Sequence, residues 1–355
     1  MWETAPFELT AGRSGLATLR AGGVFPAHPL ALDRDRQFDS RRQRALTRYY
    51  LDAGADGIAV GVHSTQFAIR ERGLYETVLR CASETVRAHG APRTALIAGV
   101  MGKTPQALGE AQTALGLGYD AALLGLGAFR GAGEDEIIRH CRQVGECIPL
   151  VGFYLQPAVG GIRLSSAFWR KFCELESVVA IKIAAFNRYA TLDVLRGLVD
   201  ARAEKRVTLL TGNDDSILVD LLTDFRLPRD GEVVELRFQG GLLGHWSVGT
   251  RRAVELMARV RSLASQPVPR EMLSLAASIT DVNAALFDAN NAFHGAIPGI
   301  HEVLRRQGLL QGTWCLDPEE GLGEGQLEEI DRVLAAYPAL TDDAFIAANL
   351  HRWLV

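Results

Sequence analysis

Short apolar runs, rich in β-branched residues, recur along the chain between longer stretches whose apolar positions fall three and four residues apart. The runs GGVFPAH (22–28), GIAVGV (57–62), TALIAGV (94–100), AALLGLG (121–127), PLVGFYL (149–155), VVAIKIA (178–184), VTLLTGN (207–213) and VVELRFQ (233–239) each predict a strand. The intervening stretches predict helices. In RERGLYETVLRCASETV, for example, Leu74, Val78, Cys81, Ala82 and Thr85 share one face, with charge opposite. The strands are nearly continuous apolar runs, as parallel strands covered on both faces should be. Eight of them, alternating with helices at roughly 30 residues per unit, predict the α/β class and a (β/α)8 TIM barrel. An open doubly wound sheet has less support, because no GxGxxG follows the first strand. Beyond residue 262 the strand signal ends and helical patterns follow, separated by Gly/Pro turns. SQPVPR (265–270) is the best linker. The expected organisation is a barrel over residues 1–262 and a C-terminal helical region over 263–355, packed on the barrel.

Composition narrows the partners. A chain of 355 residues, 48% of them hydrophobic, can fill a core of this size. The net charge of −4, with acids and bases interspersed, argues against nucleic acid. Cys81, Cys141, Cys147, Cys173 and Cys315 are scattered and form no CxxC, so reduced thiols and a cytoplasmic location are expected. No apolar run reaches the roughly 18–20 residues that span a bilayer, so no membrane partner is expected. The N-terminal stretch has no continuous apolar segment of the secretory kind. The eight histidines include no HxH at a strand end and no HExxH, which leaves a metal-dependent hydrolase with little support.

Against this background VVAIKIAAF (178–186) stands out, because Lys182 interrupts an apolar run. Lysine is scarce here: Lys103, Lys171, Lys182 and Lys205 are the only four among 38 basic residues. In a barrel, catalytic groups sit at the C-terminal strand ends, where Lys182 falls on strand six and Tyr154 on strand five. Neighbouring strands are about 4.8 Å apart, so long side chains from the two can meet. An ordinary lysine, with a pKa of about 10.4, is neutral at pH 7 in about one molecule in 2,500. Burial disfavours the ammonium and frees the amine to attack a keto carbonyl, forming a Schiff base that acts as an electron sink. A neighbouring phenol could shuttle the protons. Pattern alone leaves two other readings open. Lys182 could reach solvent or pair with Asp214 or Asp215, and a tyrosine in FYLQP could be packing.

Three segments together resemble the dihydrodipicolinate synthase / N-acetylneuraminate lyase family of class I pyruvate aldolases. PLVGFYLQPAVGG resembles the family's strand five with its Tyr-x-x-Pro. VVAIKIAAFNRY is similar to the strand-six segment that carries the imine lysine. TLLTGNDD is similar to the turn after strand seven. Weaker similarity extends the match to about residues 20–340. The resemblance implies that Lys182 forms the Schiff base, that Tyr154 relays protons, and that neither metal nor cofactor is needed. It also implies a 2-keto acid substrate and a homo-oligomer. The strand-two loop of the family, which holds the keto acid's carboxylate, here reads GVHST, with Val62 and His63 in place of two threonines. The expected substrate-binding residues are therefore His63, Ser64 and Thr65, with Leu236 of the predicted eighth strand as a further contact. Phe129 stands where the synthases carry a second relay tyrosine, and Val159 where they carry an arginine for the aldehyde's carboxylate. A valine cannot replace a bidentate guanidinium. These departures point away from a true dihydrodipicolinate synthase. They leave a Schiff-base aldolase or hydratase/dehydratase, with a non-turnover keto-acid or sugar-acid binder as the alternative.

Overall fold

The computed structural model describes residues 14–355. Eight parallel strands form the barrel: β1 (Val24–Pro26), β2 (Gly57–Val60), β3 (Ala95–Val100), β4 (Ala121–Leu124), β5 (Leu150–Leu155), β6 (Val178–Ala184), β7 (Thr208–Thr211) and β10 (Gly240–Leu243). They run in the order β1-β10-β7-β6-β5-β4-β3-β2. A parallel bridge between Ala27 and Ala59 joins the two ends. His28 N–H donates to Ala59 O at 2.8 Å across that seam. The (β/α)8 barrel expected from the strand pattern is the fold observed.

Before β1, helix α1 (Ser14–Ala21) places Leu16 and Leu19 under the barrel, with Phe25, Ala95 and Leu242 in the interior. The crossover helices are α2 (Ser40–Ala53), α3 (Tyr75–His89), α4 (Thr104–Gly116), α5 (Glu134–Gly145), α6 (Ser166–Cys173), α7 (Arg188–Asp200), α8 (Ile217–Leu222) and α9 (Thr250–Ser262). Their apolar faces, with the outward faces of the strands, make the larger core between sheet and helices. None of the helices among the described residues is long and apolar enough to cross a membrane.

One predicted strand is corrected. Residues 233–239 do not form the eighth barrel strand. Instead β8 (Phe225–Arg229) and β9 (Glu232–Leu236) pair as a separate antiparallel hairpin. The hairpin turns at Asp230 (φ 50°) and Gly231 (φ 84°), the Asp-Gly pair that suits a tight turn with two left-handed residues. Its alternation is visible in the sequence too, since Val233 is exposed while Leu236 is buried. The true eighth strand is the short GGLL run, buried throughout.

The C-terminal helices are α10 (Arg270–Leu286), α11 (Ala296–Arg306), α12 (Gln326–Ala336) and α13 (Asp343–Trp353). Helix α13 is tied to α2, with Tyr49 Oη donating to Asp342 at 2.6 Å and Trp353 Nε1 donating to Asp52 at 2.7 Å. Helix α10 packs on α8 at the mouth of the barrel. Its Asn283 Nδ2 donates to Asp214 O at 2.7 Å and its Thr280 Oγ1 to Asp215 O at 2.9 Å, so it pins the loop that follows β7.

Candidate active site

Strand alternation orients Lys182. Ala180, Lys182 and Ala184 face the barrel interior, while Ile181, Ile183 and Ala185 face the helices. The lysine is only 9% exposed. Its Nζ lies 4.6 Å from the centre of the Phe153 ring, a cation–π distance. The side chain passes over Gly212, where a Cβ would come within 2.6 Å of Lys182 Cε. Gly212→Ala should therefore displace the amine while leaving the barrel folded. The rate of imine trapping at Lys182 is expected to fall by roughly 100-fold, read by mass spectrometry beside an unchanged circular dichroism spectrum.

A cavity of about 80 Å³ opens at this amine, with Phe153, Ala184, Phe186 and Asp214 on the barrel side. The C-terminal region closes it through Phe287, Phe293 and Ile297. Phe186 and Phe293 meet at a 5.6 Å ring separation, and both hold left-handed backbone conformations (φ 47° and 67°). Such strain in bulky residues is tolerated where the surroundings dictate it, commonly at functional sites. The Phe186 loop is held by Asn213, whose Oδ1 accepts the Phe186 N–H at 3.0 Å. Asn213 is held in turn by Asp220, which accepts from Asn213 Nδ2 at 2.9 Å and Thr211 Oγ1 at 2.6 Å and pairs with Arg188.

Burial dominates the electrostatics. It pushes the Lys182 amine below the usual lysine range, and the Asp214 carboxylate opposes that by favouring the ammonium. Burial likewise pushes the Asp214 carboxyl up, against the pull of the Lys182 charge and of the His245 backbone N–H. Asp214 Oδ1 has no hydrogen-bond partner among the described residues. His63 is brought down to about 4 by burial and then by the Lys182 charge, and His245 to about 4 by burial. Both histidines are therefore neutral near pH 7, and the groups poised to exchange a proton are Lys182 and Asp214.

The expected site residues separate in space. Lys182, His63 and Ser64 line the same cavity. Thr65 does not: its Oγ1 donates to His28 O at 2.6 Å and accepts the Gly61 N–H at 3.0 Å, so it braces the loop behind the site. Leu236 lies in the hairpin opposite Phe225, away from the barrel mouth, because the segment that carries it is not a barrel strand.

Tyr154, the expected proton relay, stands on the other face of β5 from the lysine's cavity. In the β5–β6 register Phe153 pairs with Lys182 and Tyr154 with Ile183, so Tyr154 faces outward. Its ring packs on Trp169 of α6 at 5.3 Å, and its hydroxyl meets the Leu164 backbone N–H. The hydroxyl thus has a packing role behind the strand, and Phe153 occupies the interior position beside the lysine. Phe129 is buried under Lys103, whose Nζ stands 4.1 Å from its ring centre. No tyrosine lines the cavity at Lys182 among the described residues. Tyr154→Phe is expected to change turnover by less than about threefold, because general acid–base catalysis requires hydrogen-bond reach. A 100-fold loss in kcat would contradict the outward placement.

Asp214 was legible only as a possible ion partner for the lysine. The aromatic cover from residues 287–297 carried no local signal at all. A second cavity, of about 240 Å³, lies between β2 and β5 and shares Val62, Phe153, Leu155 and Val159 with the first.

Comparison with known proteins gives the family and the fold. Residues 20–224 match the model of the dihydrodipicolinate synthetase family. The chain is 26% identical over 208 residues to a 4-hydroxy-tetrahydrodipicolinate synthase of Anaplasma marginale, a match covering 58% of this chain and 65% of that protein. It is 24% identical over 315 residues to the synthase of the same name from Clostridium novyi, covering 88% and 95% respectively. Among solved structures, dihydrodipicolinate synthase from Oceanobacillus iheyensis superposes with a TM-score of 0.74 at 14% identity, covering 92% of this chain and 99% of that one. CdNal from Clostridium difficile, solved with mannosamine, superposes with a TM-score of 0.71 at 17% identity, covering 89% and 99%. With the family model matching more than half its length, this chain belongs to the dihydrodipicolinate synthetase family.

Proposed function

We propose that the protein is a class I lyase that forms a Schiff base between Lys182 and the keto carbon of a 2-keto acid, pyruvate or a 2-keto-3-deoxy acid. The observation that carries this reading is the amine itself. It is buried in the closed mouth of a barrel, below its ordinary pKa, on a cavity wall that faces a carboxyl. Buried lysines of this kind are nucleophilic because their neutral form is populated near pH 7.

In the cleavage direction the Lys182 lone pair attacks C2 of the substrate and a C–N bond forms. The carbonyl oxygen takes one proton from the attacking nitrogen and one from solvent and leaves as water, giving a protonated imine. Asp214, as carboxylate, takes the proton of the C4 hydroxyl. The C3–C4 bond breaks, the aldehyde departs, and the electron pair enters the imine to give an enamine. Asp214 then returns the proton to C3, and water releases pyruvate and the free amine. Asp214 takes the proton-relay role because it shares the lysine's cavity and has an unpartnered oxygen, whereas the Tyr154 hydroxyl lies behind the strand. Neutral His63 lines the same cavity and can donate a ring N–H to the keto acid's carboxylate, whereas the Ser64 hydroxyl already donates to Ala27 O at 2.9 Å and braces the loop. Hydration or dehydration at C3–C4 uses the same imine and the same carboxyl.

The test is reduction in place. Pyruvate with sodium borohydride should add a reduced adduct to the protein, mapped to the Lys182 peptide by mass spectrometry. An unmodified protein under those conditions removes the proposal. The absence of a phenol beside the lysine favours a second reading, in which the protein binds a keto or sugar acid without turnover. Release of pyruvate from any 4-hydroxy-2-keto acid eliminates that second reading.

A further inference from the structure

We infer that the substrate carries an uncharged, apolar substituent beyond C4, of the alkyl or aryl class, and that the second cavity between β2 and β5 receives it. This inference rests on the Schiff-base reading of Lys182. The second cavity, at about 240 Å³, is three times the space beside the lysine amine, so most of the open volume of the mouth lies beyond the reacting carbons. Val62, Phe153, Leu155 and Val159 line both spaces, which adjoin there. Lys182 Nζ stands over the Phe153 ring, so a chain bound at the amine passes across that ring to enter the second space.

The lining defines what fits. Among the described residues of the second cavity, the sole side chain with a polar group is Arg70, and the rest are glycine, alanine, aliphatic, methionine or phenylalanine. Arg70 is already committed. Its Nε and Nη2 donate to the two Glu110 oxygens at 2.9 Å each. Its Nη2 also donates to Gly99 O at 2.9 Å, and its Nη1 to Gly61 O at 3.2 Å. Glu110 accepts in addition from Met101 N–H at 3.1 Å and Gln106 Nε2 at 2.8 Å. The pair is a satisfied bidentate ion pair, and withdrawing Arg70 toward a ligand would leave Glu110 short of its cation. A second carboxylate on the substrate would therefore meet no free cation here. A polyhydroxylated tail would lose its water without gaining side-chain donors or acceptors. Met101, Leu123, Ile162 and Leu164 instead present the apolar walls that an alkyl or aryl group buries against.

The experiment compares three 4-hydroxy-2-keto acids that share one reacting end and differ at C4: a phenyl group, a polyhydroxylated carbon chain and a carboxylate. Pyruvate release is followed for each, beside borohydride trapping of pyruvate on Lys182. The phenyl compound is expected to exceed each of the others in kcat/KM by about 100-fold, the order that an apolar pocket imposes on a single added hydroxyl. Ile162→Asn, in the second cavity and not among the residues lining the space beside the amine, should cut that preference at least tenfold while pyruvate is still trapped on Lys182. Trapping at Lys182 together with equal or better turnover of the hydroxylated or carboxylated compound overturns this inference alone and leaves the Schiff base standing. Absence of trapping overturns both.

Discussion

Lys182→Met will leave a folded barrel that acquires no adduct from pyruvate and borohydride, and release of pyruvate will fall by roughly 10³- to 10⁶-fold, the range seen when a covalent nucleophile is removed. Methionine is the informative replacement because it keeps an unbranched chain over Gly212 and beside Phe153, where a shorter side chain would leave a void. The fold should tolerate the change, since it removes a cation from a site that penalises charge. Asp214 will respond. Without the lysine's charge its carboxyl moves still higher, because that charge is what opposes the effect of burial. A variant that still yields the reduced adduct, or still releases pyruvate at the parental rate, removes Lys182 from the mechanism.

Asp214→Asn will keep the adduct and lose turnover. Proton transfer by a positioned group contributes about 10²- to 10⁴-fold, and kcat should fall within that range. The sign of the pH effect is set by the direction of the interaction. The Asp214 charge raises the Lys182 pKa against the depression caused by burial. Removing it lowers the lysine further, so the rise of trapping rate with pH should move to lower pH in the variant. Turnover and trapping therefore respond in opposite senses at neutral pH, which a purely structural defect would not produce. Unchanged kcat, or a trapping profile displaced to higher pH, would show that the carboxyl neither carries the proton nor senses the amine.

The relation between Phe153 and Tyr154 shows where reading along a chain stops being sufficient. Tyr-x-x-Pro, with a lysine 28 positions further on, is a spacing along the chain. Which of two adjacent residues on β5 faces the interior depends on how β5 is registered against β6. A shift of one residue turns every side chain to the other face, and this pair carries an irregularity between Leu150 and Val151. The hairpin at 225–236 differs in kind. Its Asp-Gly turn and its alternation were local and present in the sequence, but VVEL also satisfied the expectation of an apolar strand at the spacing of a barrel unit.

The sequence alone determined the alternation of parallel strands and helices, hence the barrel, and marked Lys182 as a polar interruption of a strand whose own two-residue period points it inward. These properties depend on neighbours a few residues apart, where side-chain periodicity acts. Tertiary structure decided that Asp214 lines the lysine's cavity while Tyr154 packs on Trp169, that Phe287 and Phe293 close the cavity more than 100 positions from the lysine they cover, and that Arg70 is spent on Glu110. Each of these rests on contacts between segments far apart in the chain, which form only when strand register and helix docking are settled together.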